Sequence, residues 1–593
     1  MMKITRFLFL FILQICAWKG YAQDSPITWY NPVASVDSVL EGQGWRTGLE
    51  NPYDRLPAKA HGVVREAVWN LSRQTAGMMI RFRSNASEIR IRYQVTGKME
   101  LPHMPATGVS GVDLYAVSND GEQLWCAGKY AFKDTVSFQF ANLNAHDPQH
   151  DLGREYRLYL PLYNGVKWLE IGVADSSDFT PLQARPEKPI VIYGTSIAQG
   201  ACTSRPGMAW TNILSRKLDV PVLNVAFSGN GRLEPELIDL IGEQDARMYV
   251  LDCLPNLTVR PTVTYTIEYV RQRILQSVRS LRQRRPGSPI ILSEHAGYTD
   301  AAINPTSKGY YEEVNKVIRE AFAQLQQEGI KDLYLIPIGD FGQDIDTMVD
   351  GTHPNDLGMM RYAEGYERHI RTILAMPVGK VSTTIPVTQL RELMRYDWEK
   401  RHQEVLQVAT QNNIETVVIG NSITHFWGGQ PEGHTARGKA SWNSTFGYSR
   451  TLNMGFGWDR IENVLWRVYH GELDGMKPKR ILLQIGTNNL HLTSDEEMVA
   501  GWDMLLEAIR HRQPASQLYM VGIYPRRNDE ERIRIINESM KRLASEKGVR
   551  FIDPGKVFLK NGQIEERWFS DGLHPNTEGY DLVGKEYSRL LRP

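Results

Sequence analysis

Val191-Ile192-Tyr193-Gly194-Thr195-Ser196-Ile197 recurs far downstream as Val417-Val418-Ile419-Gly420-Asn421-Ser422-Ile423. Each is a short apolar run rich in β-branched residues, ending on Gly, a small polar residue and Ser. A run of this kind reads as a buried strand. Its carboxyl end is where an α/β sheet presents functional groups. A second pair answers the first: Asp350-Gly351-Thr352-His353-Pro354-Asn355 and Asp571-Gly572-Leu573-His574-Pro575-Asn576, followed by Gly358 and Gly579. Ser leads His by 157 residues in one half and 152 in the other. Such a repeat predicts two copies of one domain.

Each copy alternates apolar runs with amphipathic stretches, which predicts an α/β/α three-layer unit with a parallel sheet. Strands are expected at residues 189–193, 222–225, 248–251, 290–293 and 333–336 of the first copy. The second copy should have them at 415–419, 480–485, 517–523 and 550–552, with helices at 495–510 and 530–547. The region before residue 187 has another rhythm. Alternating runs at 79–82, 88–95, 112–117, 135–140 and 167–173, separated by Gly, Asn and Asp turns, predict an antiparallel β-sandwich. The expected division is a signal peptide at 1–22, a sandwich at 23–186, catalytic units at 187–376 and 389–593, and a linker at 377–388. A helix should open the second unit at about 389–409.

A serine hydroxyl needs a base, and the base needs an orienting group. Asp three residues before His supplies both in one turn, which makes Ser196, Asp350, His353 and Ser422, Asp571, His574 the candidate triads. No Gly-x-Ser-x-Gly elbow is present at either serine. Donors for a developing oxyanion come next in each copy. Asn224-Val225-Ala226-Phe227-Ser228-Gly229-Asn230 precedes Leu254-Pro255-Asn256, and Asn453-Met454-Gly455-Phe456-Gly457-Trp458-Asp459 precedes Gly486-Thr487-Asn488-Asn489.

Together these motifs resemble the SGNH (GDSL-like) hydrolase family. The resemblance implies nucleophiles Ser196 and Ser422, with an oxyanion hole from Gly229 and Asn256 in one copy and Trp458 and Asn488 in the other. Trp458 stands where a glycine is expected, and it can donate its backbone N–H provided the chain there keeps a negative φ. Thr195 and Asn421 replace the family's usual Asp before the nucleophile. Gly486-Thr487-Asn488-Asn489 and the run Asp459–Arg467 look like the catalytic subunits of platelet-activating-factor acetylhydrolase Ib. Gly111-Val112-Asp113-Leu114-Tyr115 is similar to the GxDLY-type domain that precedes bacterial SGNH hydrolases.

Outside the triads, His295, Trp427 and Arg526 are candidate substrate contacts. The cluster His425-Phe426-Trp427 reads either as a substrate wall or as packing of the first helix turn, and His295 either as a substrate contact or as a structural histidine. No His, Cys or carboxylate cluster has metal-ligand spacing, and no organic cofactor is expected.

The 593 residues are 42% hydrophobic and 23% charged, with zero formal net charge. Nothing global therefore favours nucleic acid or an anionic membrane as partner. Lys3 and Arg6 followed by apolar Phe7–Trp18 and Gly20-Tyr21-Ala22 predict a cleaved export signal and a periplasmic or extracellular protein. No later run is long enough to span a bilayer. Removing the signal removes Cys16 and leaves Cys126, Cys202 and Cys253; a Cys202–Cys253 bridge is one reading, three buried thiols the other. The expected activity is a two-site serine esterase removing O-acetyl groups from complex carbohydrates. The alternatives are a lipid or short-acyl esterase, or a glycan-binding protein with a vestigial site.

Overall fold

The structure is a computed structural model that describes residues 26–591, apart from 36–37, 145–152, 392–394, 412 and 448–449. The expected export signal lies outside the described residues.

The amino-terminal region is a sandwich of two antiparallel sheets. One sheet has the order Ile27–Tyr30, Val166–Ala174, Glu88–Val95, Val136–Ala141, Lys129–Ala131. The other runs Phe179–Leu182, Met79–Ser84, Arg154–Tyr159, Asp113–Val117, Gln123–Cys126, with Leu40–Glu41 joined to Met79–Ser84. Glu88–Val95 shows why the alternation was legible: Ile89, Ile91, Tyr93 and Val95 are buried while the residues between them are partly exposed. Arg154–Tyr159 shows why one strand was not. Its Glu155 and Arg157 are buried, because the outer face of this sheet lies against the rest of the molecule.

Each α/β unit has a five-stranded parallel sheet of order 2-1-3-4-5. The first runs Val222–Asn224, Ile190–Gly194, Met248–Asp252, Ile290–Ser293, Leu333–Ile336. The second runs Thr451–Gly455, Thr416–Gly420, Arg480–Gln484, Gln517–Val521, Arg550–Ile552. Ile190 and Ile192 pack in the layer of helices Trp210–Leu218 and Asp356–Ile373, whereas Val191 and Tyr193 pack in that of Ile267–Arg284 and Pro305–Gln327. Both faces are thus covered, as continuous apolar strands require. The order of strands reverses at the first strand of each unit. Ser196 and Ser422 follow directly from it, at the crevice where such sheets bind ligands.

Two local expectations need correction. Thr451–Gly455 is a strand that the residue pattern did not reveal, and it forms one edge of the second sheet. The helix expected from residue 389 begins at Trp398. Gln389 is instead buried, donating from Nε2 to the Gly457 carbonyl at 2.9 Å, which holds its chain in a non-helical path. The segment before it packs on the second unit. Thr383 Oγ1 donates to the Glu497 carbonyl at 2.5 Å, and Asn463 Nδ2 to the Val387 carbonyl at 3.0 Å.

All three parts meet around Asp219, a left-handed residue that ends helix Trp210–Leu218. Its carboxylate accepts from Arg157 and Arg185 at 2.9 Å each and from Trp466 Nε1 at 3.1 Å. Arg81 bridges Glu155 and Glu399, at 3.0 and 2.7 Å, from the sandwich to the second unit. Burial alone would push the Glu155 carboxyl up, but Arg81 and Arg157 outweigh it and hold it far below the usual range. Removing one member of such a buried set strands the others. Glu155→Ala should therefore destabilise the protein by about 3 kcal/mol, seen as a lower apparent melting temperature. Melting at the wild-type temperature would exclude a structural role for this network.

Candidate active sites

The geometry around the two serines is nearly the same. Ser196 Oγ lies 2.8 Å from His353 Nε2, and His353 Nδ1 lies 2.8 Å from Asp350 Oδ2. Ser422 Oγ lies 2.8 Å from His574 Nε2, and His574 Nδ1 lies 2.7 Å from Asp571 Oδ2. The other carboxylate oxygen of each Asp accepts the backbone N–H of its own histidine, at 2.9 and 2.8 Å. The Asp-x-x-His turn is therefore a closed loop of hydrogen bonds that presets the ring. Asn355 and Asn576 cap the helices that follow, accepting from Gly358 N and Gly579 N. Thr195 and Asn421 accept from the N–H of Ile197 and Ile423, capping the nucleophile turn where the family's Asp would stand.

Partial burial raises the Asp350 carboxyl, but hydrogen bonds from the His353 side chain and backbone and from Thr352 carry it below its ordinary value. Asp571 is lowered in the same way, burial again being outweighed, here by the His574 backbone and side chain. Burial takes the His574 imidazole below its ordinary value, although Asp571 pulls the other way. Each arrangement sets an imidazole nitrogen against a hydroxyl, the geometry needed for moving its proton.

The oxyanion loops also superpose by hydrogen bonds. Asn224 and Asn453 donate to the carbonyls of Ala198 and Thr424, and their Oδ1 atoms accept from Ala226 N and Gly455 N. Ser228 N donates to Gln199 Oε1 at 2.9 Å, and Gly457 N to His425 Nδ1 at 3.2 Å. Among the described residues, the next N–H in each loop, that of Gly229 and of Trp458, has no acceptor within the protein. Asn256 is oriented by Gly231 N donating to its Oδ1 at 3.0 Å, and Asn488 by donating from Nδ2 to the Asp459 carbonyl at 2.9 Å.

Trp458 departs from expectation in its backbone. Its φ is 63°, beside 69° for Gly229, so the loop demands the left-handed region in both copies. For Trp that conformation costs about 1–2 kcal/mol. The condition of a negative φ therefore does not hold: at positive φ the Trp458 N–H is left without an acceptor among the described residues, just as at Gly229. The surroundings enforce this conformation. Gly457 O accepts from Gln389 Nε2 and Tyr396 Oη, while Asp459 is held by Trp398 Nε1 at 2.8 Å and Arg467 Nε at 2.9 Å.

Of the candidate substrate contacts, Arg526 alone lies beside an oxyanion motif, its Nη1 donating to the Thr487 carbonyl at 3.3 Å and its Nε to Asp529 at 2.5 Å. His295 is buried, and burial pushes its imidazole down to about 3. Its main chain is clamped by Asn315, the same clamp that Asn537 applies to Ile523 in the second copy. The matching position in the second copy is the apolar Ile523, and His295 Nε2 is buried with no hydrogen-bond partner among the described residues. Trp427 is likewise buried, stacked on Tyr580 and edge-on to Trp442 and Phe446. His425 forms no substrate wall, because burial and the nearby Arg401 keep its imidazole neutral as the Gly457 acceptor.

The sandwich enters the first site, which residue pattern alone did not signal. Tyr163 Oη donates to the Ser196 carbonyl at 3.2 Å, and the His103 ring stacks 6.1 Å from His353. Cys202 is a buried free thiol near Asp350, and Cys253 is another, donating to the Tyr193 carbonyl at 3.5 Å; no bridge joins them. Cys202, Asp350 and His353 offer ligand atoms within 4.8 Å of one another, but both nitrogens of His353 are already engaged by Ser196 and Asp350. No helix among the described residues is long and apolar enough to cross a membrane.

Residues 187–371 and 418–582 each match the GDSL-like Lipase/Acylhydrolase family, and residues 27–179 match the N-terminal domain of SGNH-hydrolase-type esterases. The chain is 31% identical over 203 residues to platelet-activating factor acetylhydrolase IB subunit alpha2 of Homo sapiens, spanning 83% of that protein and 33% of this one. It is 28% identical over 200 residues to the alpha1 subunit of Homo sapiens, spanning 82% of that protein and 33% of this one. A crystal structure from Bacteroides ovatus ATCC 8483, assigned as a GDSL-like lipase, shares 30% identity and a TM-score of 0.53. That match covers 59% of this chain and 98% of the other.

The opposing influences on His574 give a measurable consequence. Its imidazole should titrate below pH 6.5, read from histidine-selective NMR. Asp571→Asn should lower it further, because the carboxylate favours the imidazolium. An unchanged or higher value in that variant would exclude the Asp571–His574 pairing.

Proposed function

The chain belongs to the GDSL-like lipase/acylhydrolase family and is an ester hydrolase; from that premise we propose that it carries two working serine-esterase sites that remove O-acetyl groups from complex carbohydrates. The observation that carries the reading is the pair of complete Ser–His–Asp relays, each at the carboxyl end of the first strand. Ser196 or Ser422 attacks the ester carbonyl while His353 or His574 takes the hydroxyl proton. The tetrahedral oxyanion is met by the backbone N–H of Gly229 or Trp458 and the amide of Asn256 or Asn488. Each donor is worth about 3 kcal/mol in the transition state. The histidine then protonates the departing sugar alkoxide, leaving an acyl-serine that water cleaves by the reverse proton path. Asp350 and Asp571 hold the tautomer and stabilise the imidazolium.

Two observations support the substrate. The relatives are named acetylhydrolases, which favours acetyl as the acyl group. Both histidines also reach the surface, His353 at 23% and His574 at 17% exposed, so that a bulky polar alcohol leaving beside them can extend into solvent. The basic and apolar leader supports export to the periplasm or beyond. We place the domain limits at residues 186, 376 and 388, with the sandwich bracing the first site through Tyr163.

The test is acetate release from defined acetylated oligosaccharides by the wild type, Ser196→Ala, Ser422→Ala and the double variant. The double variant should lose roughly 10³-fold or more, and each single variant should lose a different part of the substrate range. Full activity in the double variant would refute the assignment. Preference for long acyl chains would point to a lipid esterase, and glycan binding without acetate release to a vestigial site.

A further inference from the structure

The second site carries two groups that hydrolysis leaves unused, an exposed indole and a guanidinium that has no carboxylate partner among the described residues. Trp458 is 51% exposed although its backbone is held in the left-handed region. Its indole gains little from packing there, and strain retained at a bulky residue beside reacting atoms is a mark of ligand contact. In the first site the same position is Gly229, where an added Cβ would meet nothing within 4 Å. The indole thus projects into space that the other copy leaves open.

Arg437 lies near the histidine. Its Cζ sits 5.3 Å over the Phe426 ring, which is itself 5.3 Å from the His574 ring. Its backbone N–H is fixed on the Phe426 carbonyl at 2.7 Å, and Gly438 after it fits closely against Tyr580 and Trp427. Of its five donors, Nη1 uses one on Ser570 Oγ at 3.2 Å. Among the described residues no carboxylate lies within ion-pair reach of it. Arg395 adds a second positive charge felt at His574. A guanidinium fork with spare donors matches a carboxylate in two parallel hydrogen bonds. An aromatic face accepts the C–H face of a sugar ring. In the first copy Arg205 is already paired with Asp113 at 2.8 Å.

We propose that the Ser422 site selects acetyl esters of acidic sugars, with the sugar carboxylate on Arg437 and the ring on Trp458. This rests on the reading of Ser422 as a working esterase nucleophile.

The experiment uses full-length protein carrying Ser196→Ala, so that only the second site turns over. The probes are mono-O-acetylated methyl glucuronide and mono-O-acetylated methyl glucoside. The glucuronide should be favoured in kcat/KM by about tenfold or more, and added salt should erode the preference. Arg437→Gln should remove it and Arg437→Lys keep part of it. Trp458→Gly, which suits the backbone, should raise KM for both sugar esters, and Trp458→Phe should restore it. Equal kcat/KM for the two probes, a preference untouched by Arg437→Gln, or turnover of p-nitrophenyl acetate with neither sugar ester cleaved would each overturn the proposal. Turnover that survives Ser422→Ala in this background would instead refute the esterase reading on which it rests.

Discussion

Each catalytic sheet depends on an arginine brought from outside it. The oxyanion loop leaves from an edge strand, and an edge strand exposes carbonyls that no neighbouring strand can satisfy. In the first unit Arg55 Nη1 donates to the carbonyls of Asn224 and Ala226, at 3.2 and 2.8 Å. In the second, Arg401 donates to those of Asn453 and Gly455, at 3.3 and 2.7 Å. These are matching positions in the two loops. Both guanidiniums are buried, and burial drives them down, to about 9 and about 10, against the usual behaviour of arginine. Both also lie over the phenylalanine of the loop, Phe227 and Phe456, at 4.9 and 5.2 Å. The carbonyls thus take the place of a counter-ion, and the loop is held from behind.

That constraint accounts for the architecture. One copy recruits its arginine from the sandwich region, the other from the helix Trp398–Gln411, so neither sheet is finished by its own residues. The GxDLY-like motif serves the same docking. Asp113 accepts from Arg205 at 2.8 Å and from Gly207 N at 2.7 Å, and Tyr115 Oη lies 2.8 Å from Arg205. Its acid and phenol are fasteners onto the segment that follows Ser196. The ionic cluster around Asp219 and Arg81 then ties the second unit to the same seam.

Within this common frame the two sites diverge at their rims. The first is walled by the sandwich through His103 and Tyr163, with Cys202 beneath the Asp–His turn. The second replaces that wall by its own loop carrying Arg437 and by the indole of Trp458. The Ser–His–Asp hydrogen bonds match to about 0.1 Å, whereas the side chains around them differ.

The sequence by itself determined the duplication, the parallel sheets and both relays, because Ser at a strand end and Asp-x-x-His in one turn are local patterns. It also singled out the loops of Gly229 and Trp458, whose N–H groups have no acceptor among the described residues. It could not tell that His295 and Trp427 are buried, since their types suit a core as well as a surface; only packing against Asn315 and Tyr580 showed that. It missed Arg154–Tyr159 as a strand because Glu155 and Arg157 disguise the alternation until Arg81 and Asp219 are brought near. Arg55, Arg401, Tyr163 and the left-handed turn at Trp458 were decided by tertiary structure alone. Each depends on groups tens to hundreds of residues away, and nothing in the local pattern records a carbonyl that another segment must satisfy.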